Sequence, residues 1–133
     1  MAPTRAAGTF DVTLTPQPAA DGRTTPGRLS IDKTFHGDLE GTSHGEMLAA
    51  GTAVQGSAGY VAIEEVRGTL NGRSGTFVLQ HHGVMNRGAP SLSVTVVPDS
   101  GTGELAGLAG AMTIEISGGK HSYGFEYTIT EPD

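Results

Sequence analysis

An all-β fold, an eight-stranded antiparallel closed barrel, is predicted by three features of the sequence. Apolar and polar residues alternate in run after run, the period-2 signature of strands with one buried face. Short turn signals, above all Asn71-Gly72 and Gly118-Gly119, separate those runs as hairpin turns do. No segment carries a convincing 3.6-residue period. These features fit a sandwich or a barrel. Closure is favoured because it removes exposed edges, and glycines inside long strands let a sheet coil. Glycine supplies 21 of the 133 residues.

The elements follow in order. Residues 9–15 put Phe10, Val12 and Leu14 on one face. Residues 16–27, rich in proline and glycine, predict a mobile loop. Residues 28–36 alternate on Leu29, Ile31, Lys33 and Phe35. Lys33, on an apolar face, either snorkels to the rim or pairs with an interior carboxylate. Residues 38–48 read as a polar strand interrupted by Gly41 and Gly45, with Asp38, Glu40 and Glu46 on a solvated face. Residues 54–59 are turn-like. Residues 60–70 and 74–85 form a hairpin about Asn71-Gly72. A turn over 86–90 leads to a strand at 91–97 that alternates on Leu92, Val94 and Val96. Residues 98–110 are a glycine-rich excursion with at most one helical turn, at 104–108. A last hairpin joins 111–117 to 120–130. One domain, 1–133, accounts for the chain.

Composition narrows the function. With no cysteine there is no disulfide scaffold, thiolate zinc site or cysteine nucleophile. Net charge is −6, and the eight basic residues are scattered, which disfavours nucleic acid as a partner. Apolar runs are too short to span a membrane, and MAPTRAAGTF lacks the apolar core of a secretory signal. A cytoplasmic location is the default. The Gly101-to-Gly107 run follows a strand as a dinucleotide-binding turn would, but leaves no room for a crossover helix. It reads instead as a loop capping one barrel end, with Ser100 or Thr102 bonded to backbone amides.

The stretch FVLQHHGVM, 77–85, holds two adjacent histidines. A strand sends successive side chains to opposite faces, so His81 and His82 cannot share a site. His81 lies on the face of Phe77 and Leu79, the expected interior, and His82 points outward. No converging ligand set emerges, so neither a metal nor a cofactor is expected. In the last strand His121, Tyr123, Phe125 and Tyr127 share the expected inner face. If the Asn71-Gly72 turn has two residues, Leu70 pairs with Arg73, Glu64 with Leu79 and Ala62 with His81. Glu64 is then a diagonal neighbour of His81. That pair suits acid–base chemistry. It equally suits a buried histidine held by a structural carboxylate.

Several segments together resemble a known family. They are Phe35-His36-Gly37-Asp38-Leu39-Glu40-Gly41-Thr42, Gly59-Tyr60, Leu70-Asn71-Gly72-Arg73, Phe77-Val78-Leu79-Gln80-His81, the 100–107 loop and His121-Ser122-Tyr123. The pattern, over about residues 9–130, is similar to a bacterial family of small proteins of unknown function with the allene oxide cyclase-like barrel. His81, Tyr60, Arg73, His121 and Tyr123 match it. The resemblance implies an eight-stranded antiparallel barrel with a central cavity and no established activity. Plant allene oxide cyclases cyclise an unsaturated epoxide in such a barrel. No catalytic motif of theirs matches here, so that likeness is one of fold alone.

The expected function is a barrel binding an apolar or aromatic small molecule. Tyr60, Phe77, Leu79, Phe125 and Tyr127 would form its walls, with His121 and Arg73 as further contacts. If it is an enzyme, a cofactor-free isomerase or cyclase is expected. His81 would be the acid or base, Glu64 would tune it and Tyr123 would stabilise developing charge. The alternatives are a non-catalytic carrier and an interaction module whose barrel is filled by its own side chains. Outward Val61, Ile63, Val78 and Val84 leave room for a homo-oligomer.

Overall fold

The structure is a computed structural model, and it describes residues 3–18 and 26–130. Its strands are β1 (Thr4–Gln17), β2 (Gly27–Gly37), β3 (Leu39–Gly51), β4 (Ala58–Leu70), β5 (Arg73–Asn86), β6 (Ala89–Val96), β7 (Leu108–Ser117) and β8 (Lys120–Ile129). They form a closed antiparallel barrel in sequence order, and β8 pairs back onto β1.

The β4–β5 hairpin has the register set by a two-residue turn. Leu70 pairs with Arg73, Glu64 with Leu79 and Ala62 with His81. Asn71 and Gly72 both have positive φ, 46° and 86°, the geometry that matches a hairpin's twist. The first strand begins at Thr4 rather than at 9. Its added segment is the one that closes the barrel, since Thr4–Phe10 pairs with Tyr127–His121. Of the loop expected at 16–27, Pro16 and Gln17 belong to β1 and Gly27 opens β2, while residues 19–25 lie outside those described. The helical turn falls at Gly103–Leu105, one residue before the expected 104–108.

Antiparallel order gives the barrel two different ends. At one end Phe77 stacks on Phe125 with centroids 6.0 Å apart, and Phe35 meets Tyr123 edge-on at 5.7 Å. Leu39, Leu70, Leu105 and Leu108 complete this plug, all of them buried. Fully burying one such side chain contributes about 1.5–3 kcal/mol. The 98–107 loop is tied to the edge of β5 that β6 does not reach. Val78 N–H donates to Ser100 Oγ at 3.0 Å, and Thr76 N–H donates to Thr102 Oγ1 at 3.0 Å. At the other end, the mouth, the strands separate. β6 and β7 are paired only at Val94–Met112 and Thr95–Ala111. Beyond those pairs Leu92 and Ile116 are exposed on inward-facing positions.

Candidate functional site

Between the aromatic plug and the mouth lies a buried polar column. Lys33 on β2, Glu64 on β4 and His81 on β5 all point inward and are 7%, 0% and 4% exposed. Period-2 alternation puts each there, on a face otherwise held by Ile31 and Phe35, Ala62 and Val66, and Leu79. Lys33 Nζ lies 3.1 Å from both carboxylate oxygens of Glu64. Its ammonium also sits 4.8 Å from the Phe10 ring centroid, a cation–π contact. Ser43 Oγ donates to Glu64 Oε2 at 3.3 Å. Of the two fates open to Lys33 in the sequence, the structure takes the interior ion pair.

His81 Nε2 is 3.3 Å from Glu64 Oε1, but the ring is not aligned for a hydrogen bond, and this nitrogen has no other partner among the described residues. On the opposite side of the ring, His81 Nδ1 lies 3.5 Å from Tyr60 Oη. Burial by itself would push the Glu64 carboxyl up. The neighbouring His81 ring and the Lys33 ammonium outweigh it and hold Glu64 below its ordinary value. The Tyr60 phenol is pushed up, first by burial and then by the Glu64 charge, so it stays protonated.

Tyr60 connects this column to an open space. A cavity of about 470 Å³ occupies the mouth, walled by Met47, Ala49, Tyr60, Met85, Leu92 and Ile116 among others. Among the described residues, no charged one lines it. The Tyr60 ring lies flat against Gly83 on β5. A Cβ there would come within 2.2 Å of Tyr60 Cε1. Glycine at 83 is thus what lets the phenol hydroxyl reach His81.

Residues 6–127 match a family described as a protein of unknown function (DUF3224). The chain belongs to the DUF3224 family. It is also similar to a crystal structure of a protein of unknown function from that family, from Shewanella oneidensis MR-1, with 52% identity and a TM-score of 0.92. The likeness covers 98% of this chain and 99% of that one. No curated protein matches the chain.

Within this DUF3224 barrel the residues singled out in the sequence separate into groups. His81, Glu64 and Tyr60 come together. Tyr123 does not join them. Its hydroxyl accepts the Leu39 N–H at 3.0 Å and faces the carbonyls of His36 and Leu39, at 3.0 and 3.2 Å, all at the plugged end. Burial raises its pKa, the Leu39 backbone contact opposes that, and the Asp38 and Glu40 charges add to the rise. Phe77, Leu79, Phe125 and Tyr127 pack in the plug instead of walling the cavity, and Tyr127 Oη accepts from Asn71 Nδ2 at 2.7 Å. His121 is half-buried against Phe10, 5.2 Å between rings, in a separate polar recess beside Lys120 and His36. Arg73 is exposed beside the Asn71-Gly72 turn, away from the interior. His82 is exposed, as its parity requires.

The sequence reading missed the mouth residues Met47, Met85 and Ile116 as cavity walls. The signal was present in their parity, which matches that of their buried neighbours. Alternation gives the face of a residue and not its depth along the barrel, so plug and mouth looked alike. No group of ligating side chains suited to a metal ion occurs among the described residues. No helix among them is long and apolar enough to cross a membrane.

Proposed function

We propose that this protein binds a small, mainly apolar molecule in the mouth of the barrel. The observation that carries this reading is the 470 Å³ space with apolar, uncharged walls, next to the single polar chain Tyr60–His81–Glu64–Lys33. Ligand pockets commonly combine apolar walls with a few fixed polar groups that orient what they hold. The volume falls within the usual range for small-molecule sites, about 300–1,000 Å³. The plug below is filled by aromatic rings, so the ligand occupies one end of the barrel and not its centre.

An isomerase or cyclase activity fits this site only if Tyr60 is the group in contact with substrate. His81, 4% exposed, would exchange protons through the phenol and not directly. Binding is therefore the primary reading and proton transfer the secondary one.

Fluorescence titration with naphthalene, a neutral apolar probe, tests the binding. The wild-type protein is expected to saturate at one site. Ala49→Trp, which puts an indole into the mouth, is expected to abolish saturation while leaving the thermal transition cooperative. Equal binding by the filled variant would place the site elsewhere and sink the reading.

A further inference from the structure

We infer that the mouth selects neutral ligands that end in a hydroxyl donor, an alcohol or a phenol, which Tyr60 Oη receives as a hydrogen-bond acceptor. This deepens the binding reading above and rests on it.

Three observations lead there. The first is charge balance in the column. One carboxylate, Glu64, already lies 3.1 Å from one ammonium, Lys33. Glu64 and Lys33 therefore balance one another without a further charge. The second is the orientation of the imidazole. Its Nε2 is the nitrogen 3.3 Å from Glu64 Oε1. A neutral ring carries one proton, and a carboxylate draws that proton to the nitrogen beside it. Nδ1 is then bare and can only accept, so the Tyr60 hydroxyl, 3.5 Å away, directs its own proton there.

The third is what this leaves for the cavity. A phenol that has committed its proton to His81 offers only oxygen lone pairs. Burial and the Glu64 charge keep the phenol protonated, so the proton it commits is present. The only other hydroxyl among the described lining residues is that of Ser91, which is exposed at the rim. The described walls, which hold no charged residue, give a charged ligand no partner. A hydroxyl donor satisfies Tyr60. A ligand bearing only an acceptor would set two lone-pair groups face to face.

The test compares naphthalene, 2-naphthol and 2-methoxynaphthalene, which share a ring system and differ in one group. 2-Naphthol is expected to bind about fivefold more tightly than either of the others, the effect of one neutral hydrogen bond. Tyr60→Phe is expected to reduce that preference to none, so that 2-naphthol and naphthalene bind alike. Nitrogen-15 NMR of the His81 ring is expected to show the proton on Nε2, and this readout needs no variant. A proton on Nδ1, or 2-methoxynaphthalene binding as tightly as 2-naphthol, would overturn the donor preference while leaving the cavity reading intact. Failure of naphthalene itself to bind would remove the cavity reading, and this inference with it.

Discussion

Glu64 Oε1 lies 3.3 Å from His81 Nε2 although Glu64 is paired across the hairpin with Leu79. The contact is diagonal. It brings together two inward side chains that neither strand could place directly opposite. Lys33 then reaches the same carboxylate from β2, so three strands share one buried charge cluster. Such a cluster is costly to desolvate and is held only while every member has its counterpart.

Breaking one member should therefore cost more than removing the pair. Lys33→Met leaves Glu64 ionised and buried without its counter-ion, and about 3–5 kcal/mol of stability should be lost. Lys33→Met with Glu64→Leu replaces both charges by apolar groups and should cost markedly less than the single change. Urea unfolding of the wild type and the two variants measures this. Additive losses would show that the two side chains do not depend on one another.

Acid should act through the same carboxylate. Glu64 has a pKa below its ordinary value in the folded state, because His81 and Lys33 outweigh the opposing effect of burial. The sign follows from linkage. The stability it contributes is fully present above the unfolded-state pKa, about 4.3, and is lost as pH falls through the lower folded value. Glu64→Gln removes that titration. The stability gap between wild type and Glu64→Gln, measured by urea midpoints, should be constant near neutrality and narrow on acidification through that window. A gap that widens in acid would reverse the assigned direction.

Much of this architecture can be read from alternation and turns, and the rest cannot, for identifiable reasons. Asn71-Gly72 sets a register that carries Glu64 to Leu79 and Ala62 to His81 without further information. Lys33 among Leu29, Ile31 and Phe35 shows its parity, but the sequence cannot say which carboxylate meets it, because that depends on how the β2, β3 and β4 registers combine. Tyr60 and Tyr123 share an inward parity and lie at opposite ends. Depth depends on strand stagger and closure, which no local pattern encodes. The start of β1 at Thr4 was hidden because Ala6, Ala7 and Gly8 lack the large apolar residues that mark a strand.

The mouth depends on the absence of a side chain at 83. A methyl at that position would overlap the Tyr60 ring, 2.2 Å from Cε1. The ring is the movable partner, so Gly83→Ala should swing it away from His81. The fold should survive, with a loss of about 1–3 kcal/mol from overpacking. The Tyr60 phenol should then titrate closer to an ordinary tyrosine, because burial is the largest cause of its raised pKa. Ultraviolet pH titration of Gly83→Ala against wild type, with Tyr60→Phe marking which transition belongs to Tyr60, checks this. An unmoved Tyr60 transition would show that the ring tolerates the methyl in place.

Two tyrosine-to-phenylalanine changes should separate scaffold from site. Tyr123 Oη accepts the buried Leu39 N–H and reaches two carbonyls in the bend between β2 and β3. Removing that oxygen leaves a buried backbone donor without a partner, which costs about 1–3 kcal/mol. Among the described residues Tyr60 Oη has only the long 3.5 Å contact to His81, and it stands at the edge of the cavity, where water can replace it. Tyr123→Phe should lower the urea midpoint and leave the preference for 2-naphthol over naphthalene unchanged. Tyr60→Phe should do the reverse, holding the midpoint near wild type and losing the preference. If Tyr123→Phe lost the preference at unchanged stability, the functional hydroxyl would belong at the plugged end, and the mouth would be only the place where eight strands stop.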